Sequence, residues 1–219
     1  RGGDEAVGKH LIPFAHVNGG QIMKDEDLIK KVIFVALCIS ISACLQVFSD
    51  WFIYWRPALL TEFWRLWTAH WVHVGWIHFL LNMLAFACLP FIFPHARTRH
   101  MTLLLMVLSP FISVIFYWFM PHIEAYAGLS GVLHGMYVAV AIVYLKYPKE
   151  RNFALLVLAL IVIKIIWENT WGNSRTAQLI GSPVLVEAHW LGALGGILAG
   201  SAYLLKQKLK YEKVDKINR

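Results

Sequence analysis

The stretch EAYAGLSGVLHGMY (Glu124–Tyr137) places a serine and a histidine inside a long apolar run. Gly128, Ser130 and Gly131 form a Gly-x-Ser-Gly sequence, and His134 follows the serine by four residues. If this run crosses a membrane, both polar side chains are costly there, and such residues tend to be functional. The composition of the whole chain decides whether it does.

The composition is that of a membrane protein. Of the 219 residues, 58% are hydrophobic and 15% are charged, and the mean hydropathy is +0.58. A soluble domain has about half apolar and about a quarter charged residues. Cys38, Cys44 and Cys88 all lie in apolar runs without zinc-ligand spacing, which predicts buried thiols.

Six apolar segments have the length, or nearly the length, of a membrane-spanning helix. Such a helix needs about 20 mostly apolar residues, with a range of about 17–25. The segments are Val32–Trp51, Ile77–Phe93, Met101–Met120, Leu129–Tyr147, Phe153–Trp167 and Ala188–Leu205. The sequence therefore predicts an all-α, polytopic membrane protein built as a bundle of six transmembrane helices.

The lysines and arginines predict the orientation of this bundle. Of the 20, sixteen fall at the two ends of the chain and in alternate connections, Lys164 lies inside the fifth segment, and Arg56, Arg65 and Arg175 fall on the other side. Cytoplasmic loops carry an excess of Lys and Arg, so we expect both termini in the cytoplasm. The basic C-terminal end requires no nucleic-acid partner, because a cytoplasmic end near lipid accounts for it.

The chain divides into three regions. Residues 1–22 are polar and Gly-rich, without periodicity, and precede Met23, so we expect an expression remnant or a disordered segment. Residues 23–210 hold the six predicted helices, and residues 211–219 are expected to form a basic cytoplasmic tail.

Three polar side chains on three predicted helices lie at one depth. Counted from the first basic residue past the cytoplasmic end of each segment, Ser130, His189 and Asn82 lie 16, 17 and 15 residues away. At 1.5 Å per residue these are about 24, 26 and 23 Å. The hydrocarbon core is about 30 Å thick, so the common depth lies several ångströms below the outer surface. This predicts a shared site that opens to the outer side.

The residue types in this cluster suit acyl transfer. Ser130 opens its helix, where unpaired backbone N–H groups can stabilise a developing oxyanion. A serine needs a base within hydrogen-bond reach, and His189 supplies one. In HWLGALGGILAG (His189–Gly200) a glycine recurs at every fourth position, which allows two helices to touch backbone to backbone. His78 and Asn82 share one helix face and can both donate to an oxyanion.

Three motifs in order resemble the rhomboid family of intramembrane serine proteases. They lie on the second, fourth and sixth predicted helices, and the resemblance spans roughly residues 32–206. The motifs are HFLLN (His78–Asn82), GLSG (Gly128–Gly131) and AHWLGALGG (Ala188–Gly196).

The resemblance implies a role for each polar residue of the cluster. Ser130 is expected to be the nucleophile and His189 the base and acid, as a Ser–His dyad that no aspartate completes. His78, Asn82 and the backbone amide of Ser130 are expected to form the oxyanion hole. His73 matches a loop histidine that organises polar contacts and water. No metal or other cofactor is implied.

A narrower resemblance is to the rhombosortase subfamily. It rests on His134 in the serine motif, on KIIWEN (Lys164–Asn169) and on EAH (Glu187–His189). It implies a protein of the bacterial inner membrane whose active site faces the periplasm. The implied substrates are exported proteins with a C-terminal anchor: a Gly-rich stretch with Gly-Gly, one transmembrane helix and a short basic tail.

Two further features are expected to support the site. We expect His134 to pack against His189 and to bond it in a way that selects its tautomer, or else to be a core histidine bonded to a backbone carbonyl. Lys164 and Glu168 are four residues apart and are expected to form an ion pair within reach of Glu187. The alternative is a lysine that extends to the membrane surface without a partner.

Other functions stay open at this point. A rhomboid-like pseudoprotease would hold membrane clients without cleaving them, but the presence of both Ser130 and His189 favours an enzyme. A transporter that uses Lys164 and His189 as a proton relay is disfavoured, because the sequence lacks the paired broken helices or inverted repeat expected of one. A metal site at His70, His73 and His78 is disfavoured, because their spacings of three and five are unlike those of zinc ligands and no thiol or carboxylate accompanies them.

Overall fold

The computed structural model describes residues 25–171 and 174–217, and helices dominate it. The expectation about residues 1–22 lies outside the described residues. Two single 3₁₀ turns cover Ser49–Trp51 and Arg56–Ala58. The helices are α1 Asp25–Gln46, α2 Arg65–Thr68, α3 Trp76–Ile92, α4 Thr98–Phe119, α5 Ser130–Tyr144, α6 Arg151–Thr170, α7 Ser174–Ile180 and α8 Val186–Ile217, and the strands are β1 Tyr54–Trp55 and β2 Ala125–Tyr126.

The apolar helices are those of a multi-pass membrane protein. Within the described residues, α1, α4, α6 and α8 are long and apolar enough to cross a membrane. Helices α3 and α5 are apolar but shorter, at 17 and 15 residues. Each of the six predicted segments overlaps one of these helices, and the count of six crossings stays a prediction.

The ends of the first and last long helices differ from the predicted segments. Helix α1 already includes Asp25 rather than beginning near Val32, because Lys30 and Lys31 pair with acidic residues one turn earlier in the helix. It ends at Gln46, so the predicted continuation to Trp51 is wrong. Helix α8 continues to Ile217, far beyond the predicted apolar end.

The extension of α8 has a local physical reason. Its last turns are rich in Lys, which favours helix, and Lys208 lies 4.0 Å from Glu212 one turn later. Most of the expected tail of residues 211–219 is therefore helical, as far as it is described.

Helix α5 lies at the centre of the bundle and packs against α8. Ten of its 15 residues are buried. A Cβ on Gly131 would lie 2.7 Å from the carbonyl oxygen of Ala188, and one on Gly200 would lie 2.9 Å from that of Ala139. The predicted backbone contact through the glycines is confirmed, and it carries Ser130 and His189 on the two touching helices.

Helix α6 packs much more loosely. Of its described side chains, only Ala154 and Glu168 are buried. Leucines and isoleucines cover its outer face, including Leu156, which is 55% exposed, and Ile163, which is 59% exposed. In a membrane this face meets lipid.

The connection between α1 and α3 braces the start of α5. Strands β1 and β2 pair antiparallel, with Tyr54 opposite Tyr126, and the backbone N–H of Gly128 donates to the carbonyl of Ala69 at 3.0 Å. The buried Arg65 donates to the backbone carbonyls of this connection at Asp50 and Ile53. Irregular backbone near a membrane is tolerated where the protein buries it in this way.

The cysteines correct one expectation. All three are free thiols, and Cys38 is buried as predicted. Cys44 is exposed and Cys88 is half-buried, so the prediction of buried thiols is wrong for Cys44. An apolar segment at the edge of a membrane bundle turns part of its face to lipid, and sequence hydropathy does not separate that face from the core.

Candidate active site

The structure brings Ser130 and His189 into direct contact. The hydroxyl Oγ of Ser130 lies 2.9 Å from Nε2 of His189. Ser130 is the first residue of α5, and His189 lies in the first turn of α8 and is buried. This is the spacing at which an imidazole can take a proton from a hydroxyl.

Gly128 sets the position of Ser130 at the helix start. Its φ of 146° lies in the region that favours glycine. A Cβ at this position would also lie 2.7 Å from Cε1 of His78, so the imidazole of that histidine packs directly on the glycine. Helix α5 begins two residues later at Ser130, and its first backbone N–H groups have no hydrogen-bond acceptor within the helix.

His78 and Asn82 lie on the cavity side of α3. Nδ2 of Asn82 donates to the backbone carbonyl of His78 at 2.9 Å, and the side chain is buried. Nδ1 of His78 is buried without a hydrogen-bond partner among the described residues. Both side chains line the same cavity as Ser130, so polar N–H groups from two helices are available beside the hydroxyl.

The cavity beside the serine has a volume of about 260 Å³. It lies between α3, α5 and α6, and Ile180 and Val184 also line it. The wall is mostly apolar, with its polar groups concentrated at the serine, which suits a peptide segment that must be oriented at one carbonyl.

Glu168 completes the polar cluster from the other side of His189. Its Oε2 lies 2.7 Å from Nδ1 of His189, and its Oε1 is paired with Nζ of Lys164. The side chain of Glu168 is 6% exposed. The expected ion pair is therefore present, but the carboxylate also contacts the histidine, which the resemblance to a dyad did not imply.

A signal for this contact was present in the sequence. Glu168 lies 17 residues after Arg151, the first residue of α6, which is about 26 Å at 1.5 Å per residue. That is the depth of Ser130 and His189. The same count that predicted the serine and histidine therefore also predicts the acid, although the carboxylate was interpreted only as the partner of Lys164.

His134 stacks on His189. The ring centroids are 4.2 Å apart, with an angle of 15° between the planes, and Nδ1 of His134 lies 2.7 Å from the backbone carbonyl of Ser130. Because a carbonyl only accepts, Nδ1 of His134 donates. Both nitrogens of His189 are engaged elsewhere, so the hypothesis that His134 bonds His189 and selects its tautomer is wrong.

Glu187 lies apart from this cluster. One of its carboxylate oxygens lies 3.9 Å from Nε2 of His122, and Lys164 is paired with Glu168 instead. The expectation that Glu187 joins the ion pair is therefore not met. Glu187 precedes His189 by only two residues on α8, and residues at that spacing do not share a helix face.

The loop histidines are buried and brace the site. The backbone N–H and carbonyl of His73 bond the side-chain amide of Gln46 at 2.7 and 2.8 Å, and its ring meets that of His78 edge to face at 5.0 Å. Nε2 of His70 lies 3.0 Å from Oγ of Ser113. Burial lowers the pKa of His70 to about 4 and that of His73 to about 3, so both are neutral near pH 7.

One group of possible metal ligands occurs among the described residues. Ligand atoms of His134, Glu168 and His189 lie within 4.8 Å of one another. A metal ion there would have to displace the bond from His189 to Ser130 or to Glu168. The donor set is thus already committed to internal hydrogen bonds, and the absence of a metal cofactor stays a prediction.

Fold and site together define a class of protein: a multi-pass helical membrane protein with a serine–histidine pair at the start of a central helix. The family model described as Rhomboid domain matches residues 60–206, so the chain belongs to the rhomboid family. Members of this family are generally intramembrane serine proteases that act on membrane protein substrates within the bilayer. No curated protein matches the chain.

Proposed function

We propose that this chain is an active intramembrane serine endopeptidase, with Ser130 as nucleophile and His189 as base and acid. The observation that carries the proposal is the 2.9 Å separation between Oγ of Ser130 and Nε2 of His189 at the wall of a cavity. A pseudoprotease is the alternative, and it is not favoured, because the chain retains both side chains in bonding contact.

The reaction follows from the arrangement of these groups. Nε2 of His189 takes the hydroxyl proton as Oγ of Ser130 bonds to the scissile carbonyl carbon. The backbone N–H of Ser130, with His78 and Asn82, stabilises the negative charge that develops on the carbonyl oxygen. His189 then gives its proton to the amine as the C–N bond breaks, which leaves an acyl-enzyme. In the second half His189 takes a proton from water as the water oxygen bonds to the acyl carbon, and it returns that proton to Oγ of Ser130 as the ester bond breaks.

The substrate must be unwound at the scissile bond. A peptide in a membrane helix has its carbonyls hydrogen-bonded and turned away from an attacking hydroxyl. Glycines near the bond lower the cost of unwinding, because they destabilise helix by about 1 kcal/mol each relative to alanine. This supports rhombosortase-type specificity for exported proteins with a Gly-rich, Gly-Gly-containing C-terminal anchor, as the motifs around His134 and Glu168 suggest.

The same assignment includes an orientation. The lysine and arginine distribution supports both termini in the cytoplasm of a bacterial inner membrane, with the serine opening to the periplasm. Alkaline phosphatase is active only in the periplasm, so alkaline phosphatase fused to a cytoplasmic C-terminus should be inactive. An active fusion would show the opposite orientation and would leave the proposed roles of Ser130 and His189 unchanged.

A fluorophosphonate probe tests the nucleophile directly. The detergent-solubilised protein should label, and Ser130→Ala and His189→Ala should lower labelling to background while the helical content measured by circular dichroism is unchanged. Glu187→Gln, on the same helix as His189 but bonded elsewhere, is the matched control and should label like the wild type. A folded wild type that does not label would favour the pseudoprotease.

A further inference from the structure

We propose that Glu168 is the third member of a Ser130–His189–Glu168 triad and that Lys164 orients its carboxylate by pairing with the oxygen that does not face the histidine. The inference rests on the proposed function and concerns a positioning role: Glu168 acts through His189 and touches no substrate. It departs from the dyad that the family resemblance implies.

The contact between Glu168 and His189 determines the tautomer of the base. A carboxylate accepts hydrogen bonds, so Nδ1 of His189 at 2.7 Å from Oε2 carries the proton. Nε2 is then unprotonated, and it is the nitrogen that lies 2.9 Å from the hydroxyl of Ser130. The acid thus leaves the imidazole with its lone pair directed at the nucleophile.

The carboxylate also opposes the charge that appears during the reaction. When Nε2 takes the proton of Ser130, His189 becomes an imidazolium, and Glu168 stays ionised and keeps its hydrogen bond to Nδ1–H. The side chains of His189 and Glu168 are buried, at 4% and 6% exposed, so the attraction between their charges is weakly screened.

The placement of Glu168 on α6 indicates a specific role. Helix α6 otherwise buries only Ala154 among its described side chains, and its outer face is leucine and isoleucine. An isolated carboxylate in such a place is costly, and it is tolerated only when its oxygens are bonded. Here each oxygen has one partner: Oε2 has His189 and Oε1 has Lys164.

The division of the two oxygens leads to an unusual expectation for Glu168→Gln. An amide has one oxygen and one NH₂, and the Lys164 cation can pair only with the oxygen. The NH₂ group is then directed at Nδ1 of His189, which must accept, so the proton moves to Nε2 and faces Ser130. The base is lost although the side chain keeps its size.

Removal of the lysine should reverse much of this loss. In the double variant Lys164→Met/Glu168→Gln no cation competes for the amide oxygen, so the amide can turn its oxygen to Nδ1–H. The active tautomer then returns without the negative charge. A purely structural contact between α6 and α8 predicts the opposite, because two changes at a packed contact generally destabilise more than one.

The experiment measures inactivation of detergent-solubilised full-length protein by a fluorophosphonate. Glu168→Gln should lower the maximal inactivation rate by about 10³–10⁴-fold with little change in the probe concentration at half-maximal rate. The double variant should label at least about tenfold faster than Glu168→Gln alone. Glu187→Gln is the control acid and should match the wild type.

The outcomes separate the two proposals. A folded wild type that does not label overturns the proposed function, and the role of Glu168 falls with it. A wild type that labels, with Glu168→Gln labelling within a few-fold of it, overturns the triad alone, and equal rates for Glu168→Gln and the double variant overturn the orienting role of Lys164. If Glu168→Gln does not fold, Glu168→Asp takes its place, because it draws the carboxylate back from His189 by one methylene. This variant should label more slowly, with the probe concentration at half-maximal rate unchanged. A labelling rate equal to that of the wild type would overturn the triad.

Discussion

The α5–α8 pair and helix α6 both carry parts of the proposed active site, but they hold them by different means. Helices α5 and α8 touch backbone to backbone, with Gly131 against Ala188 and Gly135 against Gly192. Helix α6 buries only Ala154 and Glu168 of its described side chains. The nucleophile and base therefore rest on main-chain packing, whereas the acid rests on its own hydrogen bonds.

This difference teaches how each part of the site should respond to change. Backbone contacts are rigid and have no rotamer to adjust, so an added methyl group moves whole helices. A side-chain ion pair on a loosely packed helix can be altered while the fold persists. Substitutions in the first region should thus affect stability and activity together, and those in the second should affect activity more than stability.

The largest effect is expected from Gly192→Ala. The added Cβ would overlap the carbonyl group of Gly131, which is backbone and cannot move aside. We expect a loss of stability of about 3 kcal/mol, at the upper end of ordinary overpacking costs, together with loss of fluorophosphonate labelling. Thermal unfolding and labelling of the same sample measure both.

Gly195→Ala is the matched control on the same helix. Its Cβ would lie 2.8 Å from Cδ2 of Leu108 and 3.0 Å from the ring of Phe111, which are ends of flexible side chains. The cost should be clearly smaller than for Gly192→Ala. Equal costs for the two would show that the glycine contact does not set the position of α8.

His134→Phe should have the next largest effect and should sharpen the comparison within the rigid pair. Phenylalanine keeps the stacked ring over His189 but removes the hydrogen bond to the carbonyl of Ser130. We expect intact folding and a labelling rate lowered by about 10–100-fold, a range taken by analogy from outer-sphere residues of metal sites. A wild-type rate would leave His134 as packing alone.

The sequence predicts the part of the site on α5 and α8 better than the part on the loosely packed α6. Depth counts place Ser130, His189 and Asn82 at one level because straight helices convert residue number into distance. The glycine spacing predicts which two helices touch. These properties are periodic and local, so they can be inferred without coordinates.

The other contacts depend on which helix faces pack together, and a single sequence does not encode that directly. The bond from Glu168 to His189 requires α6 to turn one particular face toward α8, although its depth is predictable. The bonds from Gln46 to His73 join residues 27 positions apart through an irregular loop, where no periodicity applies.

A lower pH tests the connection between α1 and α3 without mutation. The pKa of His70 is lowered to about 4 and that of His73 to about 3 in the folded protein, against about 6.5 when unfolded. Between pH 6.5 and 4 the unfolded state therefore binds more protons, and stability falls as pH falls. At pH 5.5 we expect a loss on the order of 1 kcal/mol for each histidine.

His73→Phe is the control for this pH dependence. Both ring nitrogens of His73 are buried without partners among the described residues, so a phenyl ring loses no hydrogen bond there. Between pH 7.5 and 5.5 the unfolding temperature of the variant should fall less than that of the wild type. An unchanged slope would mean that His73 does not carry the acid sensitivity of the fold.

The smallest effect is expected from Lys164→Met, on the loosely packed side of the comparison. The side chain of Lys164 is half exposed, and ion pairs of that kind contribute about 0–1 kcal/mol to stability. Glu168 keeps its bond to Nδ1–H of His189 when the lysine is removed, so the base retains its tautomer. Labelling should fall only a few-fold and the unfolding temperature should change little, while Lys164→Arg, which keeps the cation, should label like the wild type. A loss as large as that of Glu168→Gln would show that Lys164, rather than His189, is the partner that keeps the carboxylate in place, and that α6 is held by its ion pair.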